Sequence, residues 1–162
     1  MVEVFLRMLT ALGCGAVIGL NRDLHHKSAG FRTFGLVSLG AGAVTMLTMQ
    51  IPGSTADGVS HVIQGVVTGI GFLGAGVILH RAAPLKVAGL TTAAAIWLTA
   101  GLGVAAGAGQ FAIAWVSLAL AMVLLICGGA VERRLEKLLG GDRRTREHPV
   151  SNSIVEHDAG EP

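Results

Sequence analysis

From Gly58 to Val131 the chain contains neither Asp nor Glu, and its only formal charges there are Arg81 and Lys86. An ordinary water-soluble domain carries charge on about a quarter of its residues. Over all 162 residues the charged fraction is 14% and the hydrophobic fraction 52%, which assigns the chain to a bilayer. A spanning helix needs about 20 mostly apolar residues. Five stretches qualify: Val4 to Leu20, Thr33 to Met49, Val62 to Leu79, Thr91 to Ala106 and Phe111 to Val131. The expected fold is an all-α membrane protein of about five transmembrane helices. It divides into a transmembrane domain over residues 1–131 and a basic, mostly disordered cytoplasmic tail over 132–162. The leucines of Glu132 to Leu139 share one helical face, so the start of the tail is expected to extend the fifth span. Met1-Val2-Glu3 lacks a positive n-region, so no cleavable signal peptide is expected.

All but one of the twelve Lys and Arg residues fall in the first loop (Arg22, Lys27, Arg32), the third loop (Arg81, Lys86) or the tail from Arg133 to Arg146. Positive loops stay in the cytoplasm. The N-terminus is therefore expected outside and the tail inside a plasma membrane. The remaining cation, Arg7, lies one turn from Glu3 and reads as a snorkelling side chain neutralised at the outer interface rather than an ion-handling pair.

The sequence also matches itself. A shift of 59 positions lays Gly15 on Gly74, Arg22 on Arg81, Lys27 on Lys86, Gly30 on Gly89, Thr33 on Thr92 and Gly42 on Gly101 without a gap. Spans one and two and spans three and four thus read as two parallel helical-hairpin repeats, related by an axis near the membrane normal, with the fifth helix added outside.

Small residues three or four apart let helix backbones approach closely in lipid. Gly15 and Gly19, Gly65 and Gly69, and Gly103 and Gly107 have this spacing, and Gly71, Gly74 and Gly76 extend it along span three. These glycines are expected at helix contacts, with Trp97 in the core and the bulky fifth span at an edge facing lipid or another copy. Cys14 and Cys127 lie in apolar runs and read as packing residues. His25, His26 and His80 sit among cations that would repel a divalent ion. No metal site, cofactor, catalytic group or nucleic-acid partner is expected.

Thr68-Gly69-Ile70-Gly71-Phe72-Leu73-Gly74-Ala75-Gly76, followed by Gly89-Leu90-Thr91-Thr92-Ala93-Ala94 and Trp97, resembles the signature of the MgtC/SapB family. Gly19-Leu20-Asn21-Arg22, then Lys27-Ser28-Ala29-Gly30-Phe31-Arg32-Thr33, resembles its other recurring segment. The resemblance implies a non-enzymatic bacterial plasma-membrane protein linked to growth at low magnesium, with the membrane ATP synthase as one partner. Two departures limit it. Asn21 stands where the family usually has an acidic residue, with Asp23 two positions on, and residues 132–162 are too few for the folded C-terminal domain of the well-known members.

The leading functional expectation is a modulator that docks to another membrane protein or to its own copy in connection with magnesium homeostasis. A small ion transporter or channel is the competing one. The candidate functional cluster comprises Asn21, Arg22, Asp23, Lys27, Gly30, Arg32 and Thr33 in one turn and Arg81, Lys86, Gly89, Thr91 and Thr92 in the other. If both turns meet on the inner face, the N-termini of spans two and four point into a basic cup. That cup suits an anionic lipid headgroup or an acidic segment of a partner. The alternative is two tight glycine turns whose cations anchor the chain to the inner leaflet.

Overall fold

The computed structural model describes residues 1–79 and 89–138. Five α-helices make up its regular structure: α1 (Val2–Leu24), α2 (Phe31–Gln50), α3 (Ala56–Leu79), α4 (Leu90–Gly107) and α5 (Phe111–Leu138). Each is long and apolar enough to cross a membrane. α5 starts at Phe111 as expected, and the other four helices start one to six residues earlier than hydropathy suggested, because helical hydrogen bonding can continue beyond the hydrocarbon. Under the 59-position shift the first residue of α2, Phe31, falls on the first residue of α4, Leu90. The starts of α2 and α4 therefore follow the sequence repeat, whereas Val2 of α1 falls on His61, five residues inside α3.

The turn between α1 and α2 is built by side chains usually read as surface decoration. His26 takes the left-handed conformation with φ 50°. Its N–H bonds the Asp23 carbonyl at 3.0 Å, while the Lys27 N–H reaches the Arg22 carbonyl at 3.1 Å. Those two bonds form a Schellman end, with histidine in the position that glycine most often fills. The His25 ring nitrogen Nδ1 lies 2.7 Å from the Asn21 carbonyl. Both histidines of this loop thus finish a helix.

Residues 1–124 form one compact unit, and α5 continues from Leu125 to Leu138 in a second. Within the first unit α1 packs on α2 and α4, α2 packs on α4, and α3 packs on α4 and more sparsely on α2. Half of the spanning stretch of α4 is buried, against 6% of that of α3, so α4 is the central helix. On α5, Ala114, Leu118 and Ala121 are buried, a spacing that defines one helical face.

The closest backbone approach lies between α2 and α4. A Cβ at Gly103 would collide with the Ser38 carbonyl, one at Gly107 would lie 2.8 Å from the Gly42 Cα, and one at Gly42 would lie 3.0 Å from the Gly103 carbonyl oxygen. Between α1 and α2, a Cβ at Gly15 would meet the Phe34 carbonyl, and one at Gly19 would sit 2.6 Å from the Phe31 Cα. Buried hydroxyls satisfy themselves locally: Thr45 donates to the Ala41 carbonyl and Thr99 to the Ala95 carbonyl, each at 2.8 Å.

Span three departs from expectation. A Cβ at Gly65, Gly69, Gly71 or Gly76 would meet nothing within 4 Å, and one at Gly74 would touch only the Ala93 methyl at 3.6 Å, an ordinary contact. The glycines of α3 therefore do not form the close-packed centre, which α1, α2 and α4 build instead. Trp97, expected in the core, is 53% exposed. Both differences have one cause: in a spanning helix the outward face is as apolar as the inward one, so composition does not say which face meets protein.

Candidate functional site

The loop between α1 and α2 and the start of α4 bring the first-repeat cluster to one end of the first unit. Arg22 is 5% exposed. It occupies the last turn of α1, and its Nη2 donates to the Thr92 hydroxyl at 3.0 Å. Thr92 is itself 3% exposed and stands in the first turn of α4, third after the cap Gly89. The Nε of Arg22 is buried with no hydrogen-bond partner, as is the Oδ1 of neighbouring Asn21, a residue 7% exposed. Among the described residues the one ion pair is that of Arg7 with Glu3, so no carboxylate there neutralises Arg22. An ionised group removed from water is costly unless paired. The sequence places this arginine in the first loop; the structure places it in the last turn of α1, which runs on to Leu24, and buries it against the start of α4.

Asp23, the next residue, is exposed and turned to another task. Its Oδ2 accepts the Phe31 N–H at 2.8 Å. A carboxylate at a helix N-terminus both satisfies a free donor and complements the positive end of the dipole. The cap position itself, Gly30, offers no side chain, and a Cβ there would run into the Asp23 carboxylate. Asp23, Gly30, Phe31, Arg32 and Thr33 together line an open groove of about 450 Å³.

The second turn is built differently. Gly89 caps α4 with φ 94°, a backbone conformation that favours glycine, and a Cβ there would lie 2.9 Å from the Val77 carbonyl oxygen. The first turn of α4 holds no acidic residue. Thr91 is exposed, as are Lys27, Arg32 and Thr33. Arg81 and Lys86 lie outside the described residues. The starts of α2 and α4 thus differ: α2 already holds an anion in Asp23, and α4 meets a buried cation in Arg22.

At the other end of α1, Arg7 does more than snorkel. Its Nη1 donates to the Gly107 carbonyl at 2.9 Å while Nη2 pairs with Glu3. Gly109, at φ 76°, leaves room for the guanidinium, since a Cβ there would come within 3.0 Å of its Cζ. A cation on the final carbonyls of α4 complements the negative helix end. The signal missed was the Gly107-Ala108-Gly109 run, a helix stop beside which a cation is favoured. Among the described residues no three His, Cys, Asp or Glu side chains gather as a metal site.

Five apolar helices, with a buried arginine joining the first to the fourth, define a multi-pass membrane protein. The MgtC family model matches residues 8–134, and the chain belongs to that family. Protein SrpB of Synechococcus elongatus is 47% identical over 113 residues, covering 64% of this chain and 62% of that protein. An uncharacterized protein of Haemophilus influenzae is 38% identical, covering 96% of this chain and 66% of its own length. Protein MgtC of Salmonella typhimurium is 37% identical over 133 residues, covering 82% of this chain and 54% of its own length. The chain therefore spans between about half and two thirds of the length of these curated relatives. No solved structure matches the chain significantly.

Proposed function

We propose that this chain acts without catalysis, as a plasma-membrane modulator that docks to another membrane protein in connection with magnesium homeostasis. The observation that carries this reading is the face of α3. Gly65, Gly69 and Gly76 leave its backbone open to within 4 Å, and Phe72 beside them is 84% exposed. A spanning helix with bare backbone on its outside is suited to receive another helix, since close backbone approach and weak hydrogen bonds drive association in lipid. Membership in a family with relatives named MgtC supports the link to magnesium, and the membrane ATP synthase is the partner that the family resemblance favours. Lys and Arg placement favours an outer N-terminus and an inner tail.

Co-purification from native membranes in mild detergent tests the docking. A partner retained by the wild type and lost with Gly69→Leu, at unchanged abundance of the chain, is the expected result; a chain that emerges alone in both cases rejects it. The competing reading, a small ion transporter or channel, draws on the repeated hairpin. Magnesium flux into liposomes holding the purified chain alone would favour it instead.

A further inference from the structure

The two repeats solve the same electrostatic problem in different ways. In the first, the N-terminus of α2 is closed by Asp23, whose carboxylate accepts the Phe31 N–H. The 59-position counterpart of Phe31 is Leu90, the first residue of α4, and the counterpart of Asp23 is Ala82, which has no carboxylate. Gly89 offers α4 no side-chain cap, and its first turn carries no acid. The N–H groups of that first turn have no partner within the helix, and Arg22 reaches the same turn from α1 through the Thr92 hydroxyl.

Arg22 is the second, independent indication of a ligand. It is 95% buried, its Nε has no partner, and its charge is matched by no carboxylate among the described residues. The Thr92 hydroxyl accepts from Arg22 and keeps its own hydrogen to donate. Free helix N–H groups, a hydroxyl and a buried guanidinium at one helix start form a set of donors with a net positive field, the chemistry that holds phosphate oxygens. Arg22 lies twenty residues from the start of α1, about 30 Å along the helix, which is the thickness of the hydrocarbon core. That places the guanidinium at headgroup depth, on the end where Lys27 and Arg32 are exposed.

We propose that the first turn of α4, with Arg22 and Thr92, binds the phosphate of an anionic phospholipid, which does for α4 what Asp23 does for α2. The site is independent of the α3 face, so its test can fail while docking stands.

The full chain, purified in an uncharged glycoside detergent, is melted with increasing short-chain phosphatidylglycerol, and separately with sodium phosphate against sodium chloride at equal ionic strength. The wild type gains stability with the lipid, and Arg22→Gln and Thr92→Val each weaken the apparent affinity, the arginine change by roughly ten- to a hundredfold, as for a lost charge-assisted bond. Equal stabilisation of the wild type and both site variants, or none in any, overturns the site. A response to inorganic phosphate without one to the lipid overturns the lipid as the source.

Discussion

Arg22 on α1 donates to the hydroxyl of Thr92 on α4 at 3.0 Å, seventy positions away in sequence, with both side chains removed from solvent. The bond crosses from the first repeat to the second and ties the last turn of one spanning helix to the first turn of another.

Thr92→Val strands a buried guanidinium and should cost about 1.5–3 kcal/mol. In an Arg22→Gln background the same change should cost clearly less, because the charge that needed the hydroxyl is gone. A double-mutant cycle on the unfolding of the purified chain measures the difference; strict additivity would mean that the two groups are not coupled.

Glycines separate into two sets that sequence spacing alone treats alike. Gly103→Leu and Gly107→Leu force side chains into the α2 backbone and should destabilise by at least about 1–3 kcal/mol. Gly69→Leu and Gly76→Leu, where nothing lies within 4 Å, should leave the melting temperature of the isolated chain close to wild type. A loss of stability at Gly69 equal to that at Gly103 would contradict this packing.

Gly30→Ala should be destabilising while Asp23 is present, since the new methyl meets the carboxylate that caps α2. Combined with Asp23→Ala the penalty at position 30 should largely vanish, although the lost cap still costs about 1 kcal/mol. Exchange of the Phe31 amide, faster in Asp23→Ala, reports the cap directly.

Arg7→Gln should lower stability by about 1 kcal/mol, because it removes the cation from the end of α4. Glu3→Gln should matter less, since Glu3 is 71% exposed and surface pairs contribute little. Equal effects would return Arg7 to a simple ion pair.

Reporter fusions after Ile51 or Gly109 should be active only outside the membrane, and those after Lys27 only inside. A reversed location at any of the three would break the orientation.

Hydropathy, charge and self-similarity are carried along the chain, so five spanning helices, a repeated helical hairpin and cations confined to alternate loops and the tail were legible in it. It also held the candidate residues Arg22, Asp23, Gly30 and Thr92, as members of two matching turns that read either as one cup or as separate anchors. Helix packing settles that Arg22 is buried, that Asp23 caps α2, that Arg7 closes α4, and that α4 rather than α3 is central. Each of these depends on the rotation and register of one helix against another. In a bilayer an apolar helix presents no polar face to report that rotation, so the glycines of α3 and of α4 look alike in sequence and part company only when the helices meet.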